Sequence, residues 1–256
     1  MAKQKTGAPR RSALVTGASY GIGAAAAIAL AEDGCDVAIT DLNPEDLADT
    51  AARITGAGGR AVPIPLDVRA DPSIDAAFAM AIARLGKLDV LVNNAGVPSP
   101  GKPVVDLTRA EWDRIMAVNL AGVFFMSQRM GRHLIGAGRP GVIISLASTH
   151  GMVGLANASA YGISKAGVSQ MTRMLAIEWA KHGIRVNAIG PGATETKTRA
   201  PRLADPKHRK LMLDRVPAGR FGTAEEMGAA ICYLASDKAS YITGQTLMLD
   251  GGLTAQ

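Results

Sequence analysis

The chain is poor in aromatic residues, which make up 4% of its 256 positions. Its core must therefore be filled by Ala, Val, Ile and Leu, and an apolar content of 48% supplies them in quantity. Cysteine is nearly absent, with Cys35 and Cys232 far apart in the sequence. Two free thiols in a cytoplasmic protein are expected rather than a disulfide framework. No apolar run reaches the length of a bilayer span, so no membrane partner is expected. The opening MAKQKTGAPRR is basic but lacks the apolar stretch of a signal peptide. Linker-like composition is also missing, which predicts one domain over residues 12–256 behind a disordered basic tail, 1–11. Net charge is +6, and Lys3, Lys5, Arg10 and Arg11 lie in that tail. No aromatic and basic platform accompanies them, so no nucleic-acid partner is expected.

What is present is an alternation of short apolar runs and longer helical stretches. Ser12–Thr16 reads as a strand, the glycine-rich TGASYGIG follows, and AAAAIALAEDG continues as a helix. Strand, glycine turn and helix is the context of a phosphate-binding loop. Glycine lets backbone approach a pyrophosphate, and the helix N-terminus offers unpaired N–H groups. The spacing is Gly17, Gly21, Gly23. Asp41 ends the second strand, Asp36–Thr40, and is placed to bind the ribose hydroxyls of NAD and repel the 2′-phosphate of NADP. The plainer alternative is a cap on the helix after Pro44. Ala61–Leu66 carries two prolines, which confine a strand to a sheet edge. Asp67 and Val68 follow it, as neighbours of an adenine ring or as an ordinary strand end. Leu88–Val92 is a continuous apolar run typical of a buried parallel strand. The Asn93, Asn94, Ala95 and Gly96 behind it either line a cofactor or tie strand ends together. A long helix is predicted over Thr108–Ile135, with Asn119 buried inside it and in need of a partner. Further strands are predicted at Gly141–Leu146, Ile184–Ile189 and Leu247–Leu249, and a helix over Ser159–Lys181. Repeated units of this kind form an α/β, Rossmann-type doubly wound parallel sheet of about seven strands, with helices on both faces.

The chemistry points to Ser148–Lys165, STHGMVGLANASAYGISK. Tyr161 and Lys165 are four apart and share a helix face. An ammonium beside a phenol favours the phenolate, which suits Tyr161 to general acid/base work, and Ser148 can hydrogen-bond the same reacting oxygen.

The ordered set TGASYGIG, Asp67-Val68, NNAG at Asn93–Gly96, Asn119, Ser148, YGISK, Pro191-Gly192 and YITGQTLMLDGG resembles the short-chain dehydrogenase/reductase family over nearly the whole chain. The resemblance implies an NAD(P)-dependent alcohol/carbonyl oxidoreductase, usually a homotetramer, without a metal. Asn119, Ser148, Tyr161 and Lys165 match the catalytic tetrad, with Asn119 holding a water in a proton relay. Gly17, Gly21 and Ile22 would meet the pyrophosphate and Asn94 the adenosine-side ribose region. Thr194 and Thr196, after Pro191 and Gly192, would lie near the nicotinamide amide. The full candidate cofactor site adds Ser19, Tyr20, Asp41, Leu42, Asp67, Val68, Ala95, Gly96, Tyr161 and Lys165. Two positions depart from the common pattern: ISLAS puts Ser145 and Ala147 where NISS is frequent, and Thr194 replaces an aliphatic residue.

Asp41 favours NAD as cofactor, and NAD favours oxidation. The expected substrate is a small-molecule alcohol or carbonyl of sugar, polyol or hydroxy-acid type. A 3-oxoacyl-thioester reductase is the alternative, and a non-catalytic nucleotide sensor the remote one. His150, Met152, Leu155 and Asn157 are the candidate pocket residues. A lid is expected over Thr194–Arg220. Its cations Lys197, Arg199, Arg202, Lys207, Arg209, Lys210, Arg215 and Arg220 form either a solvated surface or an attractant for an anionic substrate.

Overall fold

The apolar runs become strands and the alanine-rich stretches become helices. In the computed structural model, which describes residues 10–196 and 204–255, these are β1 (Arg11–Thr16), α1 (Gly21–Glu32), β2 (Cys35–Asp41) and α2 (Ala48–Gly56). There follow β3 (Ala61–Pro65), α3 (Asp71–Leu85), β4 (Val90–Asn93), α4 (Arg109–Met116) and α5 (Val123–Gly136). The second half holds β5 (Gly141–Leu146), α6 (Ser159–Trp179), β6 (Ile184–Pro191), α7 (Pro206–Leu213), α8 (Ala224–Ala235) and β7 (Thr246–Leu249). All seven strands run parallel in the order β3-β2-β1-β4-β5-β6-β7. β3, with Pro63 and Pro65, is at the edge, where a strand tolerates missing N–H donors. The order reverses between β1 and β4, which opens a crevice at their C-terminal ends.

Each face of the sheet has its own core. Ala27, Leu30, Ile54, Ile231 and Leu234 from α1, α2 and α8 cover one face. Ile74, Phe78, Met126, Met130 and Leu175 from α3, α5 and α6 cover the other. The largest fully buried side chains are Leu, Ile and Met, as the shortage of aromatics requires. Close helix packing depends on small residues: a Cβ on Gly228 of α8 would come within 2.8 Å of the Ala25 carbonyl of α1. Cys35 and Cys232 are both free thiols.

Two expectations need correction. Arg10 and Arg11 do not belong to a disordered tail. Arg11 opens β1 and donates to the Ala235 carbonyl at 2.6 Å, while Arg10 pairs with Asp36 at 3.1 Å. Their stems and charges find partners that composition cannot show; Lys3 and Lys5 lie outside the described residues. The helix over Thr108–Ile135 is also not continuous. Thr108 caps it in a capping box with Glu111, but Ala117–Gly122 widens into a π-turn between α4 and α5. Gly122 explains the close approach there, since a Cβ on it would stand 2.8 Å from Val68 Cγ2.

Candidate active site

The loop between β1 and α1 is built from backbone. Gly17 and Gly21 adopt φ of 65° and 62°, which side chains with a Cβ avoid. Tyr20, in front of α1, makes no side-chain cap bond, and the first turn of α1 holds no acidic residue. The helix thus presents N–H groups and a partial positive charge to the crevice, and a dinucleotide pyrophosphate fits both. Ile22 turns its side chain into the core, leaving its backbone toward the loop. Asn94 Nδ2 donates to the carbonyls of Thr16 at 2.9 Å and Gly17 at 2.7 Å. The amides of Asn94 and Ala95 both donate to Thr16 Oγ1 at 3.0 Å. Asn94 therefore ties β1 to β4 and spends both its amide hydrogens doing so, and Thr16 is a hub that motif reading passed over.

Asp41 stands at the end of β2 facing this loop. Its Oδ2 accepts from Ser19 Oγ at 2.5 Å and its Oδ1 from the Leu42 amide at 2.9 Å. It does not cap the turn after Pro44, where Asn43 holds the N-cap position and donates its Nδ2 to Asp46 at 3.4 Å instead of capping the backbone. Leu42 itself is exposed. Asp67 is gripped by Arg69, with Nη2 at 2.6 Å from Oδ2, and that guanidinium holds its carboxyl below the usual range. Val68 is buried against the π-turn.

Strand β5 delivers Ser148 to the same end of the sheet, where its Oγ accepts from the His150 amide at 3.2 Å. The first turns of α6 carry Tyr161 and Lys165. Lys165 Nζ is 5.8 Å from the Tyr161 ring centroid and donates to the Leu146 carbonyl at 2.6 Å. The His150 ring meets Tyr161 edge-on, with centroids 5.8 Å apart. Asn119 is placed by the π-turn, a device often found at functional sites. It pairs with the backbone of Val97: Oδ1 accepts from the amide at 2.8 Å and Nδ2 donates to the carbonyl at 3.0 Å. Gly96 lies between, since a Cβ there would stand 3.4 Å from Asn119 Oδ1 and 3.9 Å from Lys165 Nζ.

A family profile described as Enoyl-(Acyl carrier protein) reductase matches residues 17–254. The crystal structure of a short-chain type dehydrogenase/reductase from Mycobacterium marinum superposes with a TM-score of 0.92 at 37% identity, covering 96% of each chain. The chain belongs to the short-chain dehydrogenase/reductase family.

It is 44% identical to cis-4-hydroxycyclohexanecarboxylate dehydrogenase of Sinomonas cyclohexanicum, over 96% of this chain and 97% of that one. It is 41% identical to 3beta-hydroxysteroid dehydrogenase 1 of Eggerthella lenta, over 95% and 94%. A gluconate 5-dehydrogenase from Burkholderia cenocepacia, solved with NADP and tartrate, gives a TM-score of 0.90 at 36% identity over 96% of each chain. An NAD+-bound xylitol dehydrogenase gives 0.90 at 32% identity over 94% and 98%. As a short-chain dehydrogenase/reductase of this kind, the chain is an oxidoreductase of CH–OH groups that uses a nicotinamide cofactor.

Across the crevice from the glycine loop, the Gly192 amide donates to the Leu249 carbonyl at 2.9 Å, which closes the turn after Pro191. Thr194 is buried and pairs with Gly222. Thr196 leans over the loop: a Cβ on Gly21 would be 3.6 Å from Thr196 Cγ2. Of the lid cations, Lys197, Arg199 and Arg202 lie outside the described residues. Arg209 pairs with Glu195 at 3.1 Å, Lys210 with Asp214 at 2.7 Å and Arg220 with Glu226 at 2.6 Å. Two of those charges are balanced within the lid and Arg220 by α8, which is what a solvated surface requires.

His150 and Met152 border a groove of about 330 Å³ with Leu155, Ser159, Gly162, Ile163 and Ala166. Those four α6 residues stand roughly 100° to 200° around the helix from Tyr161. The groove thus adjoins the reacting groups rather than enclosing them, and the His150 ring links it to Tyr161. Asn157 has φ of 65°, and its carbonyl accepts from Ser99 Oγ at 2.9 Å, bridging the loops that follow β4 and β5. Among the described residues no helix is long and apolar enough to cross a membrane, and no group of His, Cys, Asp and Glu could hold a metal.

Burial pushes the Lys165 ammonium down from 10.5 to about 8. Between those values the unfolded chain holds a proton that the folded chain has released, so stability rises with pH across the interval. Wild type is expected to gain Tm relative to Lys165→Met between about pH 8 and 10. Parallel Tm–pH curves for the two would show that the amine is not held as described.

Proposed function

We propose that this short-chain dehydrogenase/reductase is an NAD-dependent dehydrogenase of secondary alcohols of sugar, polyol or hydroxy-acid type, with Tyr161 as its general acid/base. The observation that carries the chemistry is the buried Lys165 beside the Tyr161 ring. The bound nicotinamide supplies the hydride acceptor. Tyr161 Oη takes the proton of the alcohol as the hydride leaves, and the Lys165 ammonium stabilises the phenolate and binds the nicotinamide ribose. Ser148 Oγ accepts from the His150 amide, which leaves its own hydrogen to donate to the substrate oxygen. Asn119 would hold a water that passes the proton onward.

The preference for NAD rests on Asp41, held ready by Ser19 and Leu42. Asp41→Ala is expected to weaken NAD about tenfold to a hundredfold, the loss of a charge-assisted hydrogen bond, while NADP improves. Titration of both cofactors by fluorescence checks this; an unchanged NAD to NADP ratio would remove Asp41 from the discrimination. Relatives with either cofactor make that titration decisive.

The substrate test is NADH formation across polyols, aldoses, hydroxy acids, alicyclic alcohols and hydroxysteroids, with 3-oxoacyl thioesters and NADPH run in reverse. Turnover of the thioester alone would install the second reading, which the description of the family profile keeps in play. A homotetramer in the cytoplasm completes the proposal. Exposed apolar residues along α6, Ile163, Met174 and Ile177, support self-association, and a monomeric mass in light scattering would refute it.

A further inference from the structure

Ser164 is fully buried on α6, three residues after Tyr161 and immediately before Lys165. Its hydroxyl donates to the Tyr161 carbonyl at 2.7 Å. A serine hydroxyl has one hydrogen, so toward any other group it can act only as an acceptor. The group that faces it is Asn119 Nδ2, at 3.5 Å. The same amide grips both backbone groups of Val97, and so carries the loop that follows Gly96. Asn119 stands on a π-turn, whose backbone pairing is looser than that of the helices on either side. Leu120 of the π-turn already packs against α6, within 2.9 Å of where a Cβ on Gly167 would stand, and the Ser164 hydroxyl adds a polar contact at the level of Tyr161 and Lys165.

We infer that Ser164 is a positioning residue that ties the α6 turn bearing Tyr161 and Lys165 to the π-turn bearing Asn119. It touches neither substrate nor cofactor. Its hydroxyl sets the spacing of the groups that do, and a displacement of about 1 Å there is enough to cost about a hundredfold in rate. The inference rests on the oxidoreductase reading for its kinetic consequence but not for the tie itself.

The test therefore has two arms. The first is a thermal double-mutant cycle with Ser164→Ala, Asn119→Ala and the pair, which needs no substrate. The loss of Tm in the pair is expected to be smaller than the sum of the single losses; additive losses would overturn the tie. The second arm measures kcat, KM and NADH affinity in Ser164→Ala, Ser164→Thr and Ser164→Val. Thr and Val have the same shape and differ in the hydroxyl. Ala and Val are expected to lose about tenfold to a hundredfold in kcat with NADH affinity unchanged, and Thr to recover most of it. Equal losses in Thr and Val, or wild-type kcat in Ala, would overturn the positioning role. If wild type itself oxidised nothing in the panel, the proposed substrate class would fall, and the thermal cycle would still decide the tie.

Discussion

Tyr161→Phe is expected to lower kcat by about a thousandfold, within the range that a positioned acid/base contributes, and to leave NAD affinity within about twofold. The substitution removes one oxygen from a ring that packs edge-on against His150 and lies 5.8 Å from Lys165 Nζ. Neither of these two contacts needs the hydroxyl. Lys165 keeps its bond to the Leu146 carbonyl and its place beside Gly96. Steady-state rates with the best alcohol in the panel, beside NADH binding by fluorescence, separate the two effects. A variant that turned over within tenfold of wild type would transfer the proton to some other group, and Ser148 would be the first to examine.

Gly23→Ala is expected to be the most damaging single methyl in the cofactor loop. The added Cβ would lie 2.2 Å from the Gly17 carbonyl and 2.4 Å from Asn94 Nδ2, two atoms that bond one another at 2.7 Å. The methyl cannot fit without parting them, and parting them unties β1 from β4 at the mouth of the crevice. NAD affinity should fall by at least about a hundredfold, as one charge-assisted contact and the loop geometry are lost together. Gly136→Ala is the control. It sits in the last turn of α5 with nothing within 4 Å of the new Cβ, and should be neutral or slightly stabilising through the unfolded chain. If both variants bound NAD equally well, the tight packing at Gly23 would have no functional weight.

Much of this site was legible because its chemistry is written in residue types that have few other reasons to occur in order. Glycines at 17, 21 and 23, an acid at the end of β2 and a Tyr/Lys pair at helical spacing each dictate a geometry, and the sheet brings them to one edge. The edge place of β3 was readable from its prolines, and the buried place of β4 from its unbroken apolar run. Less legible were residues whose role depends on a partner distant in sequence. Asn94 could have lined a ligand or braced a loop, and only the position of Thr16 and Gly17 decides for the brace. Buried hydroxyls such as Ser127 and Ser145, which receive Asn93 Nδ2 at 2.9 and 3.2 Å, read in sequence as stray polar residues in apolar runs. The substituted ISLAS strand is thus understandable: Ser145 supplies an acceptor to a neighbouring strand. Met152 borders the groove beside α6 together with His150 and Leu155. The break at Ala117–Gly122 was marked only by Asn119, a buried polar residue in need of a partner, because the rest of the segment is compatible with an ordinary helix.

That break has a bearing on how the protein could be improved. An engineer seeking heat resistance would regularise Ala117–Gly122 first, since one residue fewer would restore an unbroken ladder of i to i+4 bonds from Arg109 to Gly136. The deletion would also swing every earlier residue by roughly 100° relative to α5 and carry the Asn119 amide off Val97. Tolerance to heat and competence in turnover pull in opposite directions at this one turn, and screens that select for the first alone would be expected to discard the second.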